Sequence, residues 1–433
     1  MSISYKTKII IDHTIGIIGI IILRYVGKYL SILLSRDHSM PSEPKAIVLA
    51  KIVGLGSIVY SSSLCKALKI KFPSAKIIYI TSKSNLGLVE RLNAVDEVLC
   101  LNDKGILSII SSVFNIIITL WRYRPELYFD LEVYSSFSAI LATLSLARNR
   151  YGYYGRSAEF KKNLHTHMIF FNTRRHISDI YKQMALCVNA SEINRLNEII
   201  TLSDKDREEC NSVLKKLNID NSKMIIVNPN ASELCFERKW PLEKWVEYLS
   251  LSLKRFKEYM FLLVGAPDEE DYVSEIYKRL PADLMAKVHN VVGKFSLGGF
   301  LGLIEKCDLM VTNDSGPLHI ALALGRPTVS MWGPTDYEHH VPKDGLQEIL
   351  YCKTYCAPCL HHASFPPCEG DNKCMKSLPV MNVVEATERL LLKIRVGDSV
   401  GRRNADRLHS VQITRHDLED INPVIHHWNS SHS

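Results

Sequence analysis

The chain has 433 residues, of which 46% are hydrophobic and 23% charged, and its formal net charge is +7. This length exceeds what one hydrophobic core usually serves, so we expect two domains. The composition excludes a disordered chain, a collagen-like repeat and a polytopic membrane protein, and the charge is too mild to indicate a nucleic-acid-binding protein.

Residues 1–44 predict an apolar leader that associates with a membrane. The segment Ile9–Leu33 is strongly apolar, and residues 14–23 within it carry no charge. A spanning helix needs about 17–25 mostly apolar residues, which is more than this uncharged run provides. We therefore favour a monotopic anchor, with a single span and a buried helix as the alternatives. Cations that would suit anionic head groups flank it at Lys6, Lys8, Arg24 and Lys28.

Residues 45–200 predict a first α/β domain. Short apolar runs alternate with helical patterns, which is typical of a parallel sheet covered by helices on both faces. The predicted strands are Ala46–Ile52, Ile77–Thr81, Glu97–Leu101 and Leu127–Leu131.

The helix predicted at Ile106–Trp121 is unusual because neither of its faces carries a charge. Apolar residues recur at three- and four-residue steps, and the other face is polar but uncharged. We expect this helix to pack inside the α/β layer, and contact with lipid or a lipid-linked acceptor is the alternative.

Residues 201–396 predict a second α/β domain, which begins with the helix Asp204–Leu217. The two doubly wound domains are expected to face each other across a cleft. Residues 397–433 are polar and are expected to form a solvated or disordered tail. The strands predicted in the second domain are Met224–Asn228, Phe261–Val264, Leu309–Thr312, Thr328–Met331 and Glu348–Tyr351.

Ligands of open α/β sheets bind beyond the carboxyl ends of the strands, and the first loop of this kind contains Gly54 and Gly56. It superficially resembles a dinucleotide-binding fingerprint. However, Val59 takes the place of the third glycine and no acidic residue ends the second strand, so an NAD enzyme is disfavoured. The glycines allow a close approach of the backbone to a ligand or to the opposite domain.

The second loop is polar and includes Asn230 and Ser232, and the adjacent cations Arg238 and Lys239 follow it. Cations beside the start of a helix predict an anion clamp, with a solvated basic turn as the alternative.

The third loop carries the sharpest signal. A strand runs into Asp314, Ser315 and Gly316, and Pro317 and His319 then open a helix of small residues. The free N–H groups of its first turn and the helix dipole predict a diphosphate site, with His319 donating to a phosphate. A capped helix without a ligand is the alternative.

The fourth loop contains Gly333 and Pro334 directly after a strand. These residues force a tight turn that could pass beside a base or a ribose.

The 11 cysteines are scattered without the pattern of a small disulfide scaffold, which favours a reducing compartment. Five of them share one short stretch with His361 and His362. A structural zinc site and free or transiently paired thiols are both compatible with this composition. These five are Cys352, Cys356, Cys359, Cys368 and Cys374.

Taken together, these segments resemble glycosyltransferase family nine, the lipopolysaccharide heptosyltransferases. The matching stretches are KIVGLGSIVYSSSLCKAL (51–68), DLEVYSSFSAILATLSLARNRYGYY (130–154), NPNAS with RKWP (228–241) and VTNDSGPLHIALALGRPTVSMWGPTD (311–336).

The resemblance implies a GT-B fold of two Rossmann-like domains and an inverting transfer that needs no metal or cofactor. The C-terminal domain would bind a nucleotide sugar, typically ADP-heptose. The N-terminal domain would receive a lipid-linked acceptor at the cytoplasmic face of the bacterial inner membrane. The family's donor-binding roles fall on Asp314, Ser315, Gly316 and His319, and its phosphate-binding lysine falls on Arg238 or Lys239.

One position departs from the family pattern. Ser57 stands where heptosyltransferases carry an aspartate that can serve as general base, and a missing base costs about 10²–10⁴ in rate. Asp130 and Glu132, at a strand end in the same domain, are the candidate replacements. A role for either carboxylate in capping the next helix is the alternative.

Metal-free transfer also agrees with the carboxylate pattern. An enzyme that binds diphosphate through a divalent ion would carry a strand-end Asp-x-Asp. The triplet found here, Asp204-Lys205-Asp206, opens a helix and is interpreted as capping. A non-catalytic or differently specific GT-B relative, such as a sugar-nucleotide-binding protein or an epimerase, is the alternative function.

Overall fold

The structure is a computed structural model that describes residues 12, 14, 16–26, 29, 37–102, 104–155, 160–161, 163–190, 200–231, 235–342, 345–360, 366–400 and 410–417. For residues 396–400 and 410–417 only the backbone is described. Ser232, His361 and His362, and also Lys6, Lys8 and Lys28 of the leader, lie outside these ranges.

The first domain contains a parallel sheet in the order β3-β2-β1-β4-β5-β6. Its strands are β1 (Ala46–Ala50), β2 (Lys76–Ser82), β3 (Glu97–Leu101), β4 (Leu127–Asp130), β5 (Asn149–Tyr154) and β6 (His167–Phe170). Its helices are α1 (Gly16–Val26), α2 (Leu55–Lys71), α3 (Leu86–Val89), α4 (Ile106–Tyr123), α5 (Ser136–Leu144) and α6 (Ile177–Leu186).

The second domain contains a parallel sheet in the order β9-β8-β7-β10-β11-β12-β13. This is the order of the first sheet with one strand added. Its strands are β7 (Lys223–Asn228), β8 (Tyr259–Leu263), β9 (Val288–Asn290), β10 (Leu309–Asn313), β11 (Thr328–Trp332), β12 (Leu346–Lys353) and β13 (Ser410–Asp417). Its helices are α7 (Asp204–Lys216), α8 (Leu242–Arg255), α9 (Glu270–Lys278), α10 (Leu297–Lys306), α11 (Gly316–Ala323), α12 (Tyr337–His340), α13 (Lys373–Lys376) and α14 (Val380–Val400).

The prediction of two doubly wound parallel sheets that face each other is confirmed. The central strands β1, β10 and β11 are buried along their whole length. This two-sided burial is why β1 appears in the sequence as a continuous apolar run rather than an alternating one. This arrangement of two Rossmann-like domains is the GT-B fold that the resemblance implies.

The two domains share one hydrophobic cluster and an ion pair. The apolar cluster runs from α2 and α6 of the first domain into α10 and α11 of the second. Beside it, Arg91 Nε donates to Asp206 Oδ2 at 2.9 Å. Asp206 also completes a capping box with Ser203 at the start of α7, so the interpretation of the Asp-x-Asp triplet as a helix start is confirmed.

Residues 410–417 correct the expectation of a disordered tail. They form β13, which pairs with β12 in parallel from Ser410 to Asp417. Val411 and Ile413 alternate with polar residues there, a strand pattern that the polar composition of the tail as a whole concealed.

The described part of the leader is packed on the first domain. Gly16 and Gly19 of α1 lie so close to α5 that an added Cβ would come within 2.5 Å of Ser136 and 2.9 Å of Ile140. The Asp12 carboxylate accepts hydrogen bonds from the N–H groups of Ser136 and Phe137, 2.9 and 2.6 Å away, at the start of α5. This carboxylate therefore stabilises the positive end of the α5 dipole.

Candidate functional site

The helices α2 and α11 approach each other at their N-terminal ends, one from each domain. A Cβ added to Gly56 would lie 2.3 Å from Cδ2 of His319, and one added to Gly316 would lie 2.9 Å from Cβ of Leu55. Gly54, the N-cap of α2, has a φ of 93°, which few residues other than glycine adopt. The glycines predicted for a close approach therefore bring two positive helix ends to the same part of the cleft.

The loop between β10 and α11 holds a buried carboxylate between two basic side chains. Asp314 Oδ2 lies 3.3 Å from Nη1 of Arg238, and its Oδ1 lies 3.6 Å from Nε2 of His319. Burial alone raises the pKa of Asp314, but the charge of Arg238 and the hydrogen bond from His319 lower it well below its usual range. The loop therefore keeps a negative charge that orients both basic groups.

Hydrogen bonds between polar side chains fix the loop after β10 against the loop after β7. Asn228 Nδ2 donates to Thr312 Oγ1 at 2.9 Å and to Ser315 Oγ at 2.8 Å, while Asn313 Nδ2 donates to the carbonyl of Pro229 at 2.8 Å. Ser315 is the N-cap of α11 but makes no side-chain capping bond to it. The N–H groups of the first turn of α11 are thus not occupied by the cap residue, as an anion site requires.

The two cations of the second loop are held in different ways. Arg238 contacts Asp314, whereas Lys239 Nζ lies 4.3 Å above the centre of the Tyr272 ring. Burial lowers the pKa of Lys239. Asn372 fixes the backbone of this loop by donating to the carbonyls of Glu237 and Lys239 at 2.9 and 2.8 Å. The predicted anion clamp therefore lies beside the start of α11.

Asn230, in the loop after β7, contacts the end of the neighbouring strand β8. Its Nδ2 donates to the carbonyl of Val264, 3.0 Å away, at the end of β8. The next residues include Glu269, which is close to Gly265 and accepts from the N–H of Ala266 at 2.8 Å. Burial raises the pKa of Glu269. Sequence analysis missed this carboxylate, although its position in a glycine- and proline-containing loop directly after a strand was a usable signal.

Aromatic side chains from both domains surround His319, and sequence analysis missed this cluster as well. The ring of Tyr60 lies edge-on to those of His176 and His319, with centroids 5.3 and 5.5 Å apart. The Tyr60 hydroxyl lies 3.2 Å from Nδ1 of His319 and also donates to the carbonyl of His340. Burial lowers the pKa of His176 to about 4, which keeps the imidazole neutral at pH 7. These residues come from three distant segments, so no local pattern connects them.

The surroundings of Asp130 favour a structural role over that of the candidate general base. Its carboxylate has no exposed surface, and its Oδ2 lies 3.1 Å from Lys161 Nζ and 3.0 Å from His165 Nε2. Burial raises the pKa of Asp130, but these partners lower it far more. The carboxylate is therefore buried and held ionised by two partners, as in a structural charge cluster.

Glu132 anchors the backbone of the first loop. Its Oε1 accepts from the N–H groups of Ile52 and Val53 at 2.8 and 2.9 Å, and its Oε2 lies 2.7 Å from Lys51 Nζ. All of these contacts fix the backbone that leads into Gly54. Ser57 is half-buried and hydrogen-bonds Tyr181. The geometry therefore gives Glu132 an anchoring role, with both carboxylate oxygens engaged.

The fourth loop is in contact with the cysteine-rich segment. The carbonyl of Pro334 accepts from the N–H of Cys359 at 3.0 Å, and Gly333 faces Cys374. Burial raises the pKa of Cys374 to about 12. Within the described ranges, which leave out His361 and His362, no three His, Cys, Asp or Glu side chains come together in a way that could hold a metal ion.

The structure thus brings together most of the residues predicted to bind a donor. The loops after β7, β10 and β11 meet at one edge of the second sheet, opposite the start of α2. Two helix N-termini, one arginine and one lysine make this edge suited to a diphosphate, because each supplies positive potential or N–H donors. The predicted donor-binding residues within the described ranges are Asn230, Arg238, Lys239, Asp314, Ser315, Gly316, Pro317, His319, Gly333 and Pro334.

Comparison with known proteins agrees with this geometry. The model of glycosyltransferase family 9 (heptosyltransferase) matches residues 133–368. Lipooligosaccharide heptosyltransferase 2 of Haemophilus influenzae is 33% identical over 113 residues, which is 25% of this chain and only 33% of that protein. Lipopolysaccharide core heptosyltransferase OpsX of the same organism is 22% identical over 317 residues, covering 71% of this chain and 84% of the relative. The structure of ADP-heptose lipopolysaccharide heptosyltransferase II of Escherichia coli superposes with a TM-score of 0.64 at 19% identity, covering 81% of this chain and 99% of the other.

Proposed function

Because the chain belongs to glycosyltransferase family 9, the heptosyltransferase family, we propose that it transfers a heptose from ADP-heptose to a lipid-linked saccharide. The observation that carries the proposal is the meeting of the starts of α2 and α11 beside Arg238. The product would belong to lipopolysaccharide or another surface polysaccharide, as the names of the relatives suggest.

The donor would lie along the carboxyl edge of the second sheet. Its diphosphate would accept hydrogen bonds from the N–H groups of the first turn of α11, while Arg238 and Lys239 supply positive charge. Asp314 would keep Arg238 and His319 oriented through the contacts that it already makes. The ribose and base would lie toward Gly333 and Glu269, where tight turns follow β11 and β8.

We further propose an inverting reaction that needs no divalent ion. When the glycosidic bond to the diphosphate breaks, negative charge grows on the departing phosphate oxygens. The amide dipoles of α11 and the guanidinium of Arg238 would stabilise that charge without reorganising, and losing one such preorganised donor typically costs about 3–4 kcal/mol in the transition state. The acceptor hydroxyl would attack from the first domain, on the opposite side of the anomeric carbon, which inverts its configuration. Its oxygen would form the new glycosidic bond as the bond to the diphosphate breaks, its proton would pass to solvent water, and the diphosphate would leave as ADP.

The acceptor would enter from the first domain, where Gly54 and Gly56 form the floor of the cleft. Since this acceptor is lipid-linked in the proposal, the enzyme would work at the cytoplasmic face of the bacterial inner membrane. Glu132 would hold the loop with Gly54 and Gly56 in place by accepting hydrogen bonds from the N–H groups of Ile52 and Val53.

Calorimetric titration with ADP-heptose, ADP and UDP-sugars tests the donor assignment. We expect ADP-heptose and ADP to bind, and Arg238→Gln to weaken both. Arg255→Gln is a matched control because Arg255 pairs with Glu388 on the exposed surface, away from the loops of the site. No binding of any nucleotide sugar would reject the proposal.

Ser57 at the position of the family's aspartate favours one second candidate, a relative that binds the donor but does not transfer the sugar. The same titration followed by a turnover assay separates the two functions. Release of ADP together with a heptosylated acceptor supports the transferase. Tight donor binding without turnover on any lipid-linked saccharide supports the binding protein.

A further inference from the structure

Helix α4 presents an apolar stripe to the outside of the first domain. Leu107 and Phe114 are 83% and 63% exposed, and Ile110 and Trp121 extend the same stripe. The opposite side of the helix packs on the sheet through Ile116 and its apolar neighbours. Of the helices within the described ranges, α4 is the one long and apolar enough to cross a membrane. However, α4 connects β3 and β4, which belong to the same sheet, and it packs on that sheet. Its outer stripe is therefore a surface of the folded domain.

Helix α1 adds a second apolar surface to the same layer. Ile18 and Ile22 are 60% and 56% exposed, while Ile20 between them is buried against α5. Helix α5 also contacts α4, because Trp121 Nε1 donates to the carbonyl of Leu144 at 2.8 Å. The three helices therefore form one layer, with α5 in the middle and exposed apolar stripes on both of its neighbours.

The carboxylate described next to this layer, Asp12, is bound to the N–H groups at the start of α5. None of the residues of α1, α4 and α5 is an aspartate or a glutamate. Lys104 precedes α4, Arg122 lies in its last turn and Arg124 follows it, and all three are exposed. Such a surface, apolar in the middle and cationic at its ends, is complementary to anionic lipid head groups over an acyl interior.

We propose that α1 and α4 together form a lipid-binding face that lies flat on an anionic bilayer. The apolar stripes enter the boundary between head groups and acyl chains, and the three cations contact lipid phosphates. The proposal builds on the membrane location proposed above, but it concerns lipid binding and does not require transferase activity. It also gives α4 a role that an ordinary covering helix of an α/β domain does not need, because such helices expose charged residues.

A second copy of the chain would also cover an apolar face, but the charges favour lipid. The described cations at both ends of α4 would meet their own copies across a two-fold contact, and α1, α4 and α5 themselves contain no aspartate or glutamate to pair with them. Phosphate head groups supply that negative charge directly. Self-association is therefore an outcome that the test must detect.

The test measures binding of the full-length protein to vesicles by co-sedimentation. Vesicles of phosphatidylethanolamine and phosphatidylglycerol should bind the protein, and pure phosphatidylcholine should bind it at least about tenfold more weakly. Trp121 is 49% exposed on the proposed face, whereas Trp240, Trp245 and Trp332 are buried. The fifth tryptophan, Trp428, lies outside the described ranges, so the measurement uses the Trp428→Phe variant. Its tryptophan emission should shift to shorter wavelength on binding, and Trp121→Phe should remove the shift.

Two pairs of substitutions test the residues. Leu107→Glu with Phe114→Glu on α4 should weaken vesicle binding about tenfold or more, because two large apolar side chains leave the lipid. Ile18→Glu with Ile22→Glu on α1 should act in the same direction. The matched control changes Leu186 and Leu392 to Glu, since both are about half exposed on other helices, and its binding should stay within about twofold of wild type. Circular dichroism and thermal unfolding show whether each variant is folded.

Three results would overturn the proposal. The folded protein could fail to bind anionic vesicles, or the α4 pair could bind them as well as the control does. Alternatively, sedimentation velocity could show a dimer that the α4 pair converts to a monomer, with no vesicle binding, which would make the face an interface between copies. Failure of the calorimetric titration above would leave these results unaffected.

Discussion

Gly56 in the first domain lies directly against the imidazole of His319 in the second, so that a Cβ at position 56 would come within 2.3 Å of Cδ2 of the ring. Gly56→Ala should therefore push the start of α2 away from α11. A displacement of about 1 Å at a reacting centre costs about 10²-fold in rate. We expect kcat/KM to fall by about that factor while the protein remains folded, as measured by release of ADP and by thermal unfolding.

A double substitution shows whether the contact itself is responsible. In the His319→Ala background the ring that meets Gly56 is gone, so Gly56→Ala should add little further loss. Gly105→Ala serves as the control, because no neighbouring atom lies within 4 Å of the Cβ that it would introduce. Additive effects of Gly56→Ala and His319→Ala would contradict this account.

Arg238→Gln should reduce kcat more than it changes protein stability. The guanidinium has the geometry to meet charge on the leaving diphosphate, and it is held by Asp314 at 3.3 Å. Loss of one such donor predicts a decrease of about 10²–10³ in kcat. Arg238→Lys keeps the charge but not the fork of donors and should recover part of the rate. Steady-state kinetics with ADP-heptose measure both variants, and an unchanged kcat in Arg238→Gln would be inconsistent with the proposed role.

Asp130→Asn should act on stability and not on chemistry. Removing one member of a buried charge cluster typically costs about 3–5 kcal/mol, because Lys161 is left without its counter-charge and His165 loses its carboxylate partner. Denaturant unfolding should show this loss, while kcat of the folded fraction at low temperature should stay within about threefold of wild type. The exposed pair of Asp371 and Lys376 provides the control, since Asp371→Asn should leave the free energy of unfolding almost unchanged. A stable Asp130→Asn variant without activity would restore Asp130 as the base.

The free energy of unfolding should depend on pH because the pKa of His176 differs between the folded and unfolded states. Its folded pKa of about 4 lies below the ordinary value of 6.5 because burial disfavours the charged form. Above pH 6.5 the imidazole is neutral in both states and contributes nothing. As the pH falls from 6.5 to 4, the unfolded chain binds a proton that the folded chain does not, so the free energy of unfolding should fall, by roughly 3 kcal/mol.

His176→Asn isolates this contribution. The wild-type ring accepts a hydrogen bond from the N–H of Ser178 at 3.2 Å, as the N-cap of α6. Asparagine is also a good N-cap but does not titrate. Urea unfolding between pH 4 and 7 should therefore give a shallower curve for His176→Asn than for wild type. Parallel curves would show that His176 is not the titrating group.

The sequence was sufficient to predict the sheets and most of the donor-side loops. Buried parallel strands such as β1 and β10 are apolar on both faces, and that pattern is local. The loops with Arg238, Asp314 and Gly333 were found because ligands of such sheets bind at the carboxyl ends of the strands. These predictions needed only neighbouring residues and one rule of topology.

What could not be predicted depends on contacts between distant segments. Tyr60, which packs on His176, meets His319 only because the two domains close on each other, and nothing near any of the three indicates this. From sequence alone Asp130 is a candidate base, because a strand-end carboxylate has the same sequence whether it faces a substrate or, as here, Lys161. The exposed stripe of α4 could not be predicted, because the periodicity of its apolar residues does not show which side of the helix meets the sheet.

The central claim is that the leaving diphosphate is stabilised by the start of α11 and by Arg238 without a divalent ion. The most direct test is heptose transfer from ADP-heptose to a lipid-linked core saccharide by the purified protein in EDTA, with and without added magnesium or manganese. The account predicts heptosylated product and ADP in equal amounts, at the same rate under all three conditions. Activity that EDTA abolishes and that magnesium or manganese restores would contradict it.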